Sequence, residues 1–189
     1  RLTHGRADIC FLRDASENEG KLRRTPMTKE EVREVSICKL HLTQNAVVYD
    51  IGSGTGSVAI EIAGVPGGVQ VYAIERKPEA VELLRKNREH FHMDNIQIIE
   101  APAPEGLEEL PVPTHAFIGG SGGRLLDILQ TLYRKNPHMR IVINAISMET
   151  IAELKEVLDT FPVEEEEILQ MQVSRVKKLL SYHLPQAEN

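Results

Sequence analysis

Apolar and polar residues alternate along this chain with two different periods. Short runs rich in Val, Ile and Ala have the length of buried strands, and the stretches between them repeat apolar residues at helical spacing. Strands that alternate with helices form mostly parallel sheets with helices on both faces. The pattern therefore predicts an α/β fold with strands at residues 46–51, 69–74, 96–99, 115–118 and 140–145.

Several of the helices between these strands have recognisable start signals. Thr28 and Glu31 form a T-x-x-E capping box, which predicts that a helix starts at Thr28. Pro78 opens a helix that is expected to run to about His90. Residues 163–180 have the pattern of a long strand or hairpin arm with charged flanks. Other helices are expected at residues 57–63 and 149–160. A further helix is expected to follow the glycines at 119–123 and to end at Leu132.

The first 24 residues follow neither period. They are polar and mixed, with the sequence DASENEG at 14–20, and this composition predicts a flexible loop or linker. A chain of 189 residues has the length of one domain, which we place at 25–189 after an N-terminal segment at 1–24.

A glycine-rich turn joins the first predicted strand to the helix at 57–63. Gly52, Gly54 and Gly56 stand at alternate positions, where a turn needs dihedral angles that a Cβ obstructs and where the backbone can approach a ligand closely. A tight turn without a ligand is the alternative. Glu75 ends the next strand about twenty residues on, where a carboxylate can accept hydrogen bonds from both ribose hydroxyls of a nucleoside.

The spacing of the glycines separates the possible cofactors. A dinucleotide fingerprint GxGxxG would need its third glycine at Ser57. Asp50 instead completes the pattern D-x-G-x-G-x-G, the usual signature of S-adenosylmethionine-dependent methyltransferases. The sequence contains no P-loop Gly-Lys-Ser/Thr, which argues against nucleoside triphosphate hydrolysis. A nicotinamide-dependent reductase remains the alternative from another reaction class.

Composition and charge limit which binding partners and which cellular compartment we expect for this protein. The net charge of −6 argues against a nucleic-acid partner, because phosphate binding favours a basic surface. Cys10 and Cys38 form no C-x-x-C pair and fit reduced thiols of a cytoplasmic protein. No run approaches the ~18 apolar residues of a membrane-spanning helix, and no signal-peptide pattern stands at the N-terminus. We expect a cytoplasmic protein with no nucleic-acid or membrane partner.

Four stretches resemble the decarboxylating precorrin methyltransferase family of cobalamin biosynthesis, often called CbiT, which also forms the C-terminal half of CobL-type proteins. They are PMTKEEVR at 26–33, DIGSGTGS at 50–57, VYAIER at 71–76 and FIGGSGG at 117–123. The last of these is much more distinctive of the family than the cofactor turn. The resemblance covers the chain from about Gly5 and implies a Rossmann-like class I methyltransferase fold with a seven-stranded sheet. Because this chain stops at Asn189, we expect six of those strands.

The resemblance implies a reaction, a cofactor and an assembly. Methyl transfer from S-adenosylmethionine would reach ring carbon 15 of a precorrin, with loss of carbon dioxide from an acetate side chain. The substrate would be cobalt-precorrin-6B in the anaerobic route and its cobalt-free relative in the CobL-type route, and the assembly a homotetramer. The implied cofactor contacts are Thr28, Gly52, Ser53, Gly54, Thr55, Gly56, Glu75 at the ribose and Ala103 at the adenine.

One departure from the family pattern concerns the adenine. The family usually has Gly-Asp-Ala-Pro after the third strand, where this chain has APAP at 101–104. The carboxylate that often assists adenine recognition is replaced by Pro102, so weaker cofactor binding or a substituting group is expected.

The resemblance implies that the loop after the fourth predicted strand, at 119–123, lies on the substrate side of the cleft. Because precorrins carry many carboxylates and arginine binds carboxylates in bidentate fashion, Arg13, Arg124 and Arg175 are candidate contacts, with a solvated surface arginine as the alternative for each. Ser121 and Asn144 are the candidate catalytic residues, although the electron-rich tetrapyrrole needs no strong side-chain base. The predicted substrate-binding set is Gly119, Gly120, Ser121, Gly122, Gly123, Arg124 and Arg175.

The sequence leaves other functions open. A nucleic-acid or protein methyltransferase is one, although amine methylators commonly carry Asn/Asp-Pro-Pro-Tyr/Phe where this chain has IGGS at 118–121. A non-catalytic binding module is another. No metal site is expected, since His90 and His92 lack partners at metal-ligand spacing and are predicted on the surface, and His115 is predicted to be structural.

Overall fold

The computed structural model describes residues 5–13, 15–18, 21–179 and 182–188. The described part begins with a single 3-10 turn at Asp8–Cys10 and ends in an antiparallel strand pair. In chain order the elements are β1 (Ala15–Asn18), β2 (Lys21–Arg24), α1 (Glu30–Leu40), β3 (Val47–Ile51), α2 (Ser57–Ala63), β4 (Gln70–Glu75), α3 (Pro78–His90), β5 (Ile96–Glu100), a 3-10 turn (Glu105–Leu107), β6 (His115–Ile118), α4 (Leu125–Lys135), β7 (Arg140–Ile143), α5 (Met148–Leu158), β8 (Val173–Leu179) and β9 (Tyr182–Glu188).

Five parallel strands form the central sheet, in the order β5-β4-β3-β6-β7. The chain winds outward from β3 in one direction to β5, and then returns to the other side of β3 with β6. Ile51, the last residue of β3, lies opposite Ile74 of β4 and Ile118 of β6. The carboxyl ends of these three strands therefore meet at the point where the strand order reverses, which is where open α/β sheets bind ligands.

Side chains of β3 alternate between two apolar layers, one on each face of the sheet. Val48 packs in a cluster with Leu40 of α1 and Ile60 of α2. Its neighbour Tyr49 packs in a second cluster with Leu129 of α4. All of these side chains are buried, and the prediction of a parallel sheet with helices on both faces is confirmed.

The expected six-stranded sheet is corrected to five strands. Among the described residues, β8 and β9 pair with each other in antiparallel fashion and not with β7. A strand or hairpin arm was predicted at 163–180. Only its second part is a paired strand, because strand pairing begins at Val173. The four glutamates at 164–167 are exposed, and their mutual repulsion disfavours a paired strand there.

The predicted helix start at Thr28 is also corrected. Helix α1 begins at Glu30, its N-cap is Lys29, and no side chain caps it. The Thr28 carbonyl instead accepts a hydrogen bond of 2.7 Å from the Arg33 guanidinium. The acidic side chains Glu30 and Glu31 stand in the first turn, where they stabilise the positive end of the helix dipole.

The N-terminal segment is more ordered than the prediction of a loop. Residues 15–18 and 21–24 pair as an antiparallel hairpin, while positions 14, 19 and 20 of the predicted loop lie outside the described residues. Phe11 is buried in the core, and the backbone N–H and carbonyl of Leu12 both hydrogen-bond to the Asn87 side chain. The division at residue 24 stays a prediction, although residues 5–13 pack on the domain.

No helix in the described ranges is both long and apolar enough to cross a membrane.

Candidate active site

The glycine turn after β3 has a backbone that only glycine adopts easily. Gly52, Gly54 and Gly56 have φ angles of 74°, 57° and 78°, in the left-handed region. A Cβ on Gly52 would lie 2.7 Å from the carbonyl oxygen of Gly120. The turn is therefore packed directly against the backbone of the loop that follows β6.

Glu75, at the end of β4, is tied to this turn. One carboxylate oxygen accepts a hydrogen bond of 3.0 Å from the Gly54 N–H, and the other accepts bonds of 2.9 Å from the N–H groups of Arg76 and Lys77. Glu75 is 8% exposed. A carboxylate offers about four lone pairs and three are used here, so the oxygen bonded to the Gly54 N–H can accept one further hydrogen bond from a hydroxyl at the cleft.

Asp50 lies beneath the turn and is buried. Its carboxylate accepts a hydrogen bond of 2.6 Å from the Ser53 hydroxyl. Burial raises the pKa of Asp50 to about 7, with a smaller upward contribution from the charge of Glu75, and outweighs the hydrogen bonds from Ser53 and the Ala59 backbone that lower it. The Asp50 side chain therefore helps to hold the turn in place through its hydrogen bond with Ser53.

A large open cleft of about 2220 Å³ includes the carboxyl ends of the strands and continues along the β7 edge of the sheet, past Arg140 and the segment at 161–173. Thr55 and Gly56 lie behind the turn and do not line it, since Thr55 is buried and Gly56 caps α2. Gly123 and Arg175 are also outside its lining. The predicted site residues that do line it are Arg13, Thr28, Gly52, Ser53, Gly54, Glu75, Ala103, Gly119, Gly120, Ser121, Gly122, Arg124 and Asn144.

Both candidate catalytic side chains are hydrogen-bonded within the protein. The Ser121 hydroxyl donates to Glu153 at 3.1 Å, and the Asn144 side-chain oxygen accepts from the Ser36 hydroxyl at 3.2 Å. They line the same cleft but approach it from different strands. Their predicted part in the chemistry stays a prediction.

The three candidate substrate arginines also have contacts within the chain. Arg124 binds both oxygens of Glu105, at 2.6 and 2.8 Å, and Arg175 contacts Glu31 of α1 at 2.5 Å. Arg13 donates to the Thr25 carbonyl at 3.3 Å. These contacts hold each guanidinium at a defined place, and a substrate carboxylate would have to compete with them or add to them.

The segment after β5 forms the adenine side of the predicted cofactor site. The Ala101 N–H donates to the Glu75 carbonyl at 3.1 Å, which brings this segment beside the end of β4. Pro102 is exposed and Ala103 half-buried, and both line the cleft. Pro102, the residue that departs from the family pattern, therefore lies in the wall of the cleft.

Sequence reasoning missed a buried ionic cluster beside the site. Glu61 of α2 and Arg33 of α1 are both fully buried. Glu61 accepts hydrogen bonds from the Arg6 backbone and guanidinium, and Arg33 bonds Asp8 and the carbonyl oxygens of Thr28 and Arg6. A signal was present, since Glu61 interrupts an otherwise apolar helix sequence.

The histidines lie where they were predicted. His90 and His92 are exposed, and the buried His115 starts β6 and contacts the Thr114 hydroxyl at 2.8 Å. Burial lowers the pKa of His115. The described part of the chain contains no group of three or more His, Cys, Asp or Glu side chains that could hold a metal ion.

The fold and the site together define a class of protein. A solved S-adenosylmethionine-dependent O-methyltransferase from Thermotoga maritima superposes with a TM-score of 0.70 over 86% of this chain and 62% of that chain, at 15% identity. That likeness shows the fold alone. The alternate glycines and the carboxylate that ends β4 lie on this fold, which is the Rossmann-like fold of class I methyltransferases.

The family follows from the closer matches. The model of the precorrin methyltransferase domain matches residues 20–187. A Sulfurisphaera tokodaii protein named probable cobalt-precorrin-6B C(15)-methyltransferase (decarboxylating) is 43% identical over 133 residues, 69% of each chain. The solved precorrin 8W decarboxylase of Methanobacterium thermoautotrophicum is 34% identical, with a TM-score of 0.82 over 97% of this chain and 94% of that one. The chain belongs to the precorrin methyltransferase family.

Proposed function

We propose that the protein transfers a methyl group from S-adenosylmethionine to ring carbon 15 of cobalt-precorrin-6B or its cobalt-free relative, with decarboxylation of an acetate side chain, in cobalamin biosynthesis. Methylation at carbon 15 of cobalt-precorrin-6B with decarboxylation is the reaction in the name of the Sulfurisphaera tokodaii relative. The observation that carries the proposal is the position of Glu75, bonded to the Gly54 N–H at the reversal point of the sheet.

The residues of the site fit the cofactor. A ribose hydroxyl suits the remaining acceptor site of the Glu75 carboxylate, and the methionine part suits the glycine turn, whose Gly52, Ser53 and Gly54 line the cleft. Thr28 and Ala103 border the same space. When bound, S-adenosylmethionine supplies an electrophilic methyl group and leaves as S-adenosylhomocysteine.

The substrate side needs room and positive charge more than a catalytic base. The cleft extends beyond the cofactor turn to the loop after β6 and along the edge of the sheet, which leaves space for a second ligand beside the cofactor. Arg76, Arg124 and Arg13 line it, and guanidinium groups suit the carboxylates of a precorrin. Holding the acceptor carbon in line with the methyl group is the contribution asked of these residues.

Two further features belong to the proposal. We place the protein in the cytoplasm, consistent with the free exposed thiols of Cys10 and Cys38. We expect a homotetramer, which is supported by large apolar side chains exposed near the cleft, such as Ile146, Met148 and Ile168.

Turnover of an authentic substrate tests the function. Incubated with S-adenosylmethionine and cobalt-precorrin-6B, the wild-type protein is expected to give a product heavier by one methyl group and lighter by one carbon dioxide, detected by mass spectrometry. Glu75→Ala should lower kcat/KM for the cofactor about 100-fold, because a charge-assisted hydrogen bond to the ribose is lost and the Gly54 N–H loses the acceptor that holds the turn.

A matched control is available on the next helix. Glu79 is exposed in the first turn of α3, so Glu79→Ala removes the same charge without touching the cleft and should leave turnover unchanged. Methylation without release of carbon dioxide, or equal rates for the two variants, would contradict the proposal.

A further inference from the structure

One side chain from α5 binds the start of α4 and the loop before it. The Glu153 carboxylate accepts a hydrogen bond of 2.6 Å from the Leu125 N–H through one oxygen and of 3.1 Å from the Ser121 hydroxyl through the other. Leu125 is the first residue of α4, whose N-cap Arg124 makes no side-chain capping bond. Glu153 therefore caps α4 from a different helix, and its negative charge lies at the positive end of the α4 dipole.

The other contacts that fix this loop are made by its backbone, since the Gly119 N–H donates to the Ile51 carbonyl at 2.9 Å and Gly120 packs against Gly52. Gly122 and Gly123 have φ angles of 62° and 79°, and glycines in this region carry a large conformational freedom in the unrestrained chain. A Cβ built on Gly120 or Gly123 would meet no atom within 4 Å, so no neighbour packs against these two residues on that side. No other hydrogen bond from a described side chain reaches residues 119–123.

The position of this loop matters for the cleft. Gly120 lies against Gly52, and Gly119, Gly120, Ser121 and Gly122 line the cleft. The hydrogen bonds from α5 therefore couple the position of this helix to the wall of the cleft beside the cofactor turn.

From these contacts we infer that Glu153 is a positioning residue for the substrate side of the site, acting through Ser121 and the N-terminus of α4. The inference rests on the proposed function. It assigns Ser121 a role as an anchor of the loop, because the hydroxyl proton points to Glu153. Without the carboxylate, the part of the loop from Ser121 to the start of α4 would lose this anchor, and the binding-competent fraction of the protein would fall.

The kinetic consequence is a change in KM with little change in kcat. Glu153→Ala is expected to raise KM for the precorrin about tenfold, the effect of losing a hydrogen bond to a charged group, while kcat and the dissociation constant of S-adenosylhomocysteine change less than about threefold. Glu153→Gln should restore KM to within about threefold of wild type, because the amide oxygen can still cap Leu125 and the amide N–H can bind the Ser121 oxygen. Glu156→Ala, an exposed position of the same helix, is the matched control and should behave as wild type.

A double-mutant cycle separates this role from a general loss of stability. Ser121→Ala removes one of the two bonds and should raise KM about threefold, and the Ser121→Ala/Glu153→Ala protein should be no worse than Glu153→Ala alone. The single Ser121 variant keeps the test valid if Glu153→Ala does not fold. An unchanged KM in both single variants, additive losses, or an equal weakening of S-adenosylhomocysteine binding would overturn the inference. Absence of turnover by the wild-type protein would instead refute the proposed function.

Discussion

Replacing Arg33 by Ala is expected to lower the free energy of unfolding by about 3–5 kcal/mol. Arg33 is fully buried, with a guanidinium nitrogen 3.9 Å from Glu61 and another 3.1 Å from Asp8. Its guanidinium also lies 4.8 Å from the centre of the Phe11 ring. Truncation removes these contacts and leaves the buried carboxylate of Glu61 with less compensating charge.

Urea denaturation followed by circular dichroism measures this loss. Arg85→Ala serves as the control. Arg85 forms ion pairs with Glu82 and Glu100, and all three side chains are about half exposed. Exposed pairs contribute little, and we expect less than about 1 kcal/mol for the control. Similar losses in the two variants would show that the cluster around Arg33 does not fasten the N-terminal segment to the domain.

Replacing Gly52 by Ala is expected to weaken S-adenosylhomocysteine binding about 100-fold, the cost of moving a site by roughly 1 Å. The added Cβ would lie 2.7 Å from the carbonyl oxygen and 2.8 Å from the nitrogen of Gly120, so two backbone segments must separate. Alanine is also disfavoured at the φ angle of 74°. Isothermal titration measures the affinity.

Gly68→Ala is the control that separates two effects of Gly52→Ala, namely the clash of the new Cβ with Gly120 and the strain of alanine at a positive φ angle. Gly68 has nearly the same φ angle, 75°, and a Cβ there would lie 2.7 Å from the side-chain oxygen of Asn45, away from the cleft. It carries the same backbone strain, but its clash is with the end of a side chain that can move, so it should cost less stability and leave the affinity unchanged. An equal loss of affinity in the two variants would mean that the close approach of Gly52 to Gly120 is not what shapes the cofactor site.

Much of this fold could be predicted because its signals are local. The strands at 47–51 and 115–118 are short apolar runs, and the turn after Ile51 carries its function in consecutive residues. Glu75 was predicted because its distance from the turn along the chain is fixed by one helix and one strand. Such features need no knowledge of which distant segments meet.

The parts that could not be predicted depend on distant contacts. The bond from Glu153 to Ser121 joins residues 32 positions apart, and that from Arg6 to Glu61 joins residues 55 positions apart. Nothing in the local sequence of Arg6 or Glu153 marks either as more than a surface charge. The pairing of β8 with β9 instead of with the sheet is likewise a choice of partner, which hydrophobic periodicity does not specify.

The central claim, that the turn and Glu75 bind an S-adenosyl nucleoside and not a dinucleotide, is tested most directly by titrating the wild-type protein with S-adenosylhomocysteine and, separately, with NADH. The account predicts saturable binding of S-adenosylhomocysteine with a dissociation constant on the order of micromolar and no measurable heat with NADH. Binding of NADH in place of S-adenosylhomocysteine, or of neither ligand, would contradict it.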